Sequence, residues 1–489
     1  MCGTRNTHHT HWTRRSFVTG TAGTAAAFAL SPALLRALAP LDPERRSAAP
    51  LPRPHLQIAV EAWNWLDAHR IETPHGITWP ADPTDPASTG YTLYTHSPGV
   101  LPFALELFHA TGDQRYLDAA SAAAAHLAAT LDEVAGAGLY TGLAGIAFVL
   151  AETWRATRRD EHRDDAERAA RLLLENASPV GDGIAWPVPW PMPRSDDTRE
   201  SNDIVSGTAG TGLALLHLHR VLGTAGALHA AEAAGARLLE RAAEADTGLR
   251  WDMWPGYARE MPNFSHGTAG IAYFLATLHR ATGSGDCLDA ALAGADYLVS
   301  QATLDQPPDD AGRQPAYRIF HSRPGGEDLY YLSWCHGPVG TNRLFRQLAE
   351  ATGDDQWHDW VARGARGVIA TGIPETRTPG FWENISQCCG TAGAADHFLT
   401  LYRTTGDAGY RAFVDRLNAD LLGRASIVDT AAGAGRKWTQ AEHRVQPDLL
   451  VAQTGHMQGA AGVGKYFLHM DAVEERGGGP RVVLPDDPW

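Results

Sequence analysis

The chain has 489 residues, 44% of them hydrophobic and 20% charged, a composition that supports a large packed core and excludes global disorder. A formal charge of −15, with lysine only at Lys437 and Lys465, excludes a surface that draws nucleic acid or anionic lipid. Five cysteines exclude a disulfide-dense scaffold.

Residues 1–49 read as an address and a short linker. The run Thr13-Arg14-Arg15-Ser16-Phe17-Val18 resembles a twin-arginine export signal, and no acidic residue precedes Asp42. The weakly apolar stretch from Phe17 to about Ala39 is interrupted by Gly20, Gly23, Pro32 and Arg36, which makes it a poor membrane span. Cleavage is expected after Ala39 or Ala49. This route carries folded cargo, often with its cofactor installed, so the expectation is an exported protein loaded before export. No later segment reaches ~18 uninterrupted apolar residues, so no membrane span is expected after processing.

From residue 50 to 475 one motif recurs. Thr141-Gly142-Leu143-Ala144-Gly145, Ser206-Gly207-Thr208-Ala209-Gly210 and His266-Gly267-Thr268-Ala269-Gly270 are followed by His336-Gly337-Pro338-Val339-Gly340, Cys389-Gly390-Thr391-Ala392-Gly393 and Gln458-Gly459-Ala460-Ala461-Gly462. His96-Ser97-Pro98-Gly99 is a degenerate first copy. Steps of 46 to 70 residues between the last glycines suit a helical hairpin plus a variable loop. An apolar run with helical spacing follows each copy, as in Leu213, Leu215, Leu216 and Leu218. Several runs stop at a shared signal, Thr111-Gly112-Asp113, Thr352-Gly353-Asp354 and Thr405-Gly406-Asp407, where glycine closes one helix and aspartate caps the next. β-branched alternation is nearly absent, so a substantial sheet is not expected. The fold expected is all-α: seven hairpins packed side by side, closed into a ring or left as an open solenoid, with small residues letting helix starts approach their neighbours. Residues 476–489 read as a tail.

If seven motifs gather their loops at one mouth, the residues just before each glycine sit there. Trp334-Cys335-His336-Gly337 and Gln387-Cys388-Cys389-Gly390 place three cysteines at equivalent repeat positions, while Cys2 and Cys287 lie elsewhere. Thiolates suit Zn²⁺, and three protein ligands leave a fourth position open for catalysis. Buried free thiols, or a bridge from Cys335 to Cys388 or Cys389, are the structural uses of the same residues; adjacent Cys388 and Cys389 are too close at Cα to bridge each other. His266 is placed to exchange protons near neutral pH, or else to bond backbone at a helix start. Asp203 is placed to orient a histidine or hold substrate, or else to cap a helix.

Taken together, the seven Gly-x-x-Gly copies, Trp-Cys-x-Gly and Cys-Cys-Gly over about residues 55–470 resemble the LanC family of lanthionine cyclases. The resemblance implies a double ring, or (α/α) toroid, of seven inner and seven outer helices. It implies zinc on Cys335, Cys388 and Cys389, a catalytic histidine at His266 and its aspartate at Asp203. It also implies a dehydrated peptide or small-thiol substrate, whose sulfur would add to a dehydroamino acid and form a thioether. The chain departs from the commoner family pattern at three places: Cys389 stands where histidine is usual, Tyr331 where arginine is frequent, and His336 where tyrosine is common. Two rival readings remain at this level. An exported, non-catalytic zinc- and peptide-binding protein would use the same cysteines. A helical-ring glycosidase would stack sugars on the 15 tryptophans and need two carboxylates ~5–9.5 Å apart.

Overall fold

In the computed structural model the described residues are 53–189, 200–304 and 314–488; the export-signal segment and Cys2 lie outside them. Fourteen α-helices are found there. Seven follow the glycine motifs and are buried along nearly their whole first three turns: α2 (Ser97–Thr111), α4 (Leu143–Thr157), α6 (Thr208–Leu222), α8 (Thr268–Thr282), α10 (Pro338–Thr352), α12 (Thr391–Thr405) and α14 (Ala460–Glu475). Seven are half exposed and pack outside them: α1 (Pro54–Asp67), α3 (Gln114–Ala129), α5 (Asp160–Glu175), α7 (Ala227–Glu240), α9 (Gly285–Gln301), α11 (Gln356–Ala370) and α13 (Ala408–Gly423).

Each inner helix packs beside the next, and α14 returns to α2, so the inner ring is closed. Six hairpins run inner helix to outer helix in sequence. The seventh is made from the two ends of the fold, with α1 as the outer partner of α14. Closure therefore buries both terminal apolar faces, which an open solenoid would have to cap.

The stop signals act as the sequence reading expects. Gly112, Gly353 and Gly406 close α2, α10 and α12 in the left-handed region at φ of 71°, 69° and 71°, a conformation that costs a glycine nothing. Asp113 and Asp407 then accept the first free N–H groups of α3 and α13. Among the described residues, sheets are confined to six two-stranded antiparallel ribbons. Four tryptophans secure these excursions. Trp79, Trp186, Trp251 and Trp438 donate Nε1–H to Leu66, Leu173, Leu238 and Leu421 in the last turns of α1, α5, α7 and α13, at 2.7–2.9 Å. Trp186, Trp251 and Trp438 each satisfy an orphan helix carbonyl, while Trp79 shares Leu66 O with His69 N–H; each of the four is at most 2% exposed, so none is placed to stack on a sugar.

The motif glycines have a local reason. A Cβ on the last glycine would lie 1.9–2.2 Å from the carbonyl oxygen six residues earlier at Gly145, Gly210, Gly270, Gly340, Gly393 and Gly462. The incoming loop thus folds tightly over the start of its own inner helix. The approach to the neighbouring copy, which the sequence reading expected to be decisive, comes second: Ile204 stands 2.5 Å from the Cβ position of Gly270, and Phe264 2.7 Å from that of Gly340. Gly210→Ala should accordingly lower stability by about 1–3 kcal/mol, because the obstructing atom is backbone and cannot turn aside. Gly423→Ala, with nothing within 4 Å, should raise it by about 0.5 kcal/mol. Urea unfolding of the two variants checks both signs.

The folded-back loops are tied to one another in a circle. Tyr94 N donates to Tyr140 O (3.1 Å), Tyr140 N to Val205 O (2.9 Å), Ile204 N to Ser265 O (3.2 Å) and Ser265 N to Cys335 O (2.9 Å). Cys335 N then donates to Cys388 O (3.1 Å), Cys388 N to Met457 O (3.1 Å), and Met457 N back to Tyr94 O (2.9 Å). This closed circle of backbone hydrogen bonds forms the rim on which the site is built. Below it the chain end packs inward, with Val482 2% and Asp486 0% exposed. The carboxylate of Asp486 accepts from Tyr140 Oη (3.0 Å) and Trp334 Nε1 (3.1 Å), so the tail beyond residue 475 supports the floor of the ring.

Candidate functional site

A cavity of about 320 Å³ opens at the rim. Cys335 and Cys388 occupy equivalent positions in the circle of backbone bonds, and Cys389 and His266 occupy the next position of their own copies. Repetition thus brings together residues far apart in sequence. Cys335 Sγ lies 3.1 Å from Cys389 Sγ, and Cys389 Sγ lies 3.2 Å from Cys388 Sγ. All three sulfurs fall within 4.8 Å of one another, and the residues are 3%, 9% and 3% exposed for Cys335, Cys389 and Cys388. They are free thiols, as is Cys287, which is buried on α9 away from the cavity.

Three buried sulfurs this close cannot share their protons evenly. Burial alone would push Cys388 up, but hydrogen bonds from Cys335, Cys389 and Tyr94 outweigh it and hold this thiol well below the ordinary range. Burial, with the hydrogen bond to Cys388, raises Cys335, and the hydrogen bonds to Cys335 and Cys388 raise Cys389. One sulfur therefore takes the first negative charge. The donor set fits a soft dication, which would displace the remaining protons and satisfy all three sulfurs. The inner helices begin at the same rim, and their positive ends favour anionic sulfur there.

On the same wall His266 Nδ1 lies 2.6 Å from Asp203 Oδ2. Asp203 is fully buried; its other oxygen accepts from Ser206 N at 2.8 Å and from Ser206 Oγ at 3.3 Å. It is not the N-cap of α6, a position held by Gly207. The carboxylate accepts, so Nδ1 carries the proton and Nε2 is left as the free nitrogen of a ring that is 24% exposed. Between Asp203 and His266, the alternatives of helix cap and backbone-bonded histidine give way to one contact.

Several further residues line the cavity. His321 stacks on His336 with ring centroids 4.2 Å apart. Burial, then Arg444, His266 and Arg259, push His321 down to about 4. Burial also holds His336 well below its usual value, and neither of its ring nitrogens has a partner. Both rings are uncharged at neutral pH. Tyr331 packs between His321 and Trp382. Its phenol is raised by burial and by Cys335 and Cys389, against the opposing guanidinium of Arg444. Glu442, His443, Arg444 and Val445 reach the cavity from the loop joining the short strands Gln440–Ala441 and Leu450–Val451. Tyr94 was legible in principle: it stands two residues before His96, the register that Cys335 and Cys388 hold in their copies. His321 and Arg444 come from excursions with no internal repeat to align them.

The carboxylates do not suit glycoside hydrolysis. Glu442 is the one carboxylate on the cavity wall among the described residues. Asp203 is behind His266, and Glu383 is 60% exposed and paired with Arg377 and Arg424.

A family model described as lanthionine synthetase C-like protein matches residues 87–477. No curated protein sequence matches the chain. Among solved structures, nisin cyclase superposes with a TM-score of 0.54 at 14% identity, over 81% of this chain and 90% of that one; this is a likeness of fold. An α-1,6-mannanase of Salegentibacter sp. HEL1_6 gives a TM-score of 0.44 at 15% identity, over 86% of this chain and 98% of its own. Unsaturated glucuronyl hydrolase from Bacillus sp. GL1 gives 0.44 at 14%, over 88% and 99%. These last two carry no weight for function. No helix among the described residues is long and apolar enough to cross a membrane.

Proposed function

The chain belongs to the lanthionine synthetase C-like family, and from that premise we propose that it is a zinc-dependent enzyme adding a thiol to a dehydroamino acid to form a thioether. The observation that carries this reading is the meeting, on one cavity wall, of three buried sulfurs within 4.8 Å and the His266–Asp203 pair. Cys335, Cys388 and Cys389 would hold the zinc, which supplies Lewis acidity toward a substrate thiol at a fourth position.

The rest is work for the chain's own residues. The substrate thiol yields its proton to the free Nε2 of His266, its sulfur bonds to the β-carbon of dehydroalanine or dehydrobutyrine, the double-bond pair moves to the α-carbon, and that carbon takes the proton from Nε2. His266 Nε2 is the group that handles this proton. Asp203 holds Nδ1–H and stabilises the ring whenever it is doubly protonated. The neutral His321 and His336, with Tyr331 and Trp382, form an aromatic wall that excludes water without competing for the proton.

The direct test is metal analysis of the mature protein, followed by incubation with a dehydroalanine peptide and a thiol, read by mass spectrometry. One zinc per chain with a thioether product is expected. Zinc without product would favour the non-catalytic zinc- and peptide-binding reading.

We also propose that residues 1–49 direct export by the twin-arginine route, on the strength of Arg14 and Arg15 ahead of an acid-free apolar stretch. Replacing both arginines by lysine should hold the protein inside the cell. Undiminished appearance of that variant outside would show the segment to be something else.

A further inference from the structure

Tyr94 is half-buried at the rim, with its hydroxyl 2.9 Å from Cys388 Sγ. Three further contacts determine which way its proton points. The backbone N–H of Ile385 can only donate, and it donates to Gln440 Oε1 at 2.9 Å. Gln440 therefore turns Nε2 toward Gln458, reaching its Oε1 at 3.0 Å and its backbone oxygen at 2.6 Å. With Oε1 engaged, Gln458 presents Nε2, which donates to Tyr94 Oη at 2.9 Å. The phenol oxygen is thus occupied as an acceptor, and its one proton is left for the sulfur. Gln440 and Gln458 are 1% and 2% exposed, so water does not compete for these positions. The backbone holds the frame, because Met457 bonds to both Cys388 and Tyr94 in the rim circle.

We infer that Tyr94 is a positioning residue of the metal centre, the last member of a one-way relay from Gln440 through Gln458 that delivers a hydrogen bond to Cys388 Sγ. The inference rests on the zinc reading above. Its physical use follows from the donor set. Three thiolates on a dication leave one negative charge, and a substrate thiolate would make two, in a buried site that disfavours excess charge. A donor aimed at one sulfur disperses part of that charge, and hydrogen bonds to charged groups are about twice as strong as neutral ones. Cys388 then draws less on the metal's Lewis acidity, leaving more for the substrate.

The test uses the mature protein loaded with Co²⁺, whose sulfur-to-metal charge-transfer band reports the donor strength of the thiolates. Tyr94→Phe removes the donor. Gln458→Glu keeps the size of the side chain but makes it an acceptor that pulls the Tyr94 proton away from sulfur. Both variants are expected to bind one metal per chain and to move the band to longer wavelength. With zinc bound, alkylation of Cys388 by iodoacetamide should quicken by roughly tenfold in both. Should Tyr94→Phe fail to fold, the isosteric Gln458→Glu decides. An unmoved band and unchanged alkylation, with metal retained, overturn the relay and leave the zinc reading intact. A shift in Tyr94→Phe without one in Gln458→Glu also overturns it, since the glutamines would then not orient the proton. Wild-type protein without any charge-transfer band overturns the zinc reading and the relay together.

Discussion

Cys335→Ala is expected to release the metal and abolish thioether formation while leaving the fold standing. The side chain supplies one of three sulfurs, and the two left, on adjacent residues 388 and 389, make a poor tetrahedral set. Its role in the rim is different: Cys335 donates through its backbone N–H and accepts through its carbonyl, and alanine keeps both. In small zinc fingers the metal contributes ~10–16 kcal/mol and is the folding energy. Here a closed double ring buries its own core, so the melting temperature should fall by only a few degrees. Elemental analysis should show zinc far below one per chain, and product formation should drop at least ~10²-fold. Full zinc occupancy in Cys335→Ala would remove the cysteine from the ligand set. Collapse of the fold together with metal loss would make the site structural.

His266→Asn should leave zinc in place and slow product formation by ~10²–10⁴-fold, the range for a lost acid–base group. The asparagine can still reach Asp203 but has no nitrogen able to take up and release a proton. The sequence alone expects milder damage from Asp203→Asn, on the view that the aspartate only supports. The 2.6 Å contact changes that expectation. An asparagine amide facing His266 Nδ1 would donate to it and move the ring proton to Nε2, the wrong tautomer for accepting a proton there. A loss of ~10²-fold or more is therefore expected for Asp203→Asn, with zinc again retained. Metal content and turnover measured on the same samples separate the cases. Zinc lost with His266 would make the histidine a fourth ligand, and turnover unchanged in His266→Asn would assign the proton to another group.

The contrast between Asp203 and Tyr94 marks the limit of what one-dimensional pattern carries. The repeat is a local device: a glycine that must clear the carbonyl six residues before it, an apolar helix, and a Gly-Asp stop. Each of these leaves its trace within one copy, so the hairpins, the helical class and the register of Cys335, Cys388, Cys389 and His266 were legible in the sequence by itself. The tertiary structure alone decided the rest. It closed the ring by pairing α1 with α14, which requires faces some four hundred residues apart to meet. Of the two local uses open to Asp203, orienting a histidine or capping a helix, it chose the contact with His266. It also brought His321 and Arg444, from irregular excursions, to the cavity of the cysteines, and turned Tyr94 and Gln458, whose register was legible, toward each other across the ring. Those contacts join side chains from different copies and irregular excursions, and a distance across a ring leaves no periodicity in the chain that forms it.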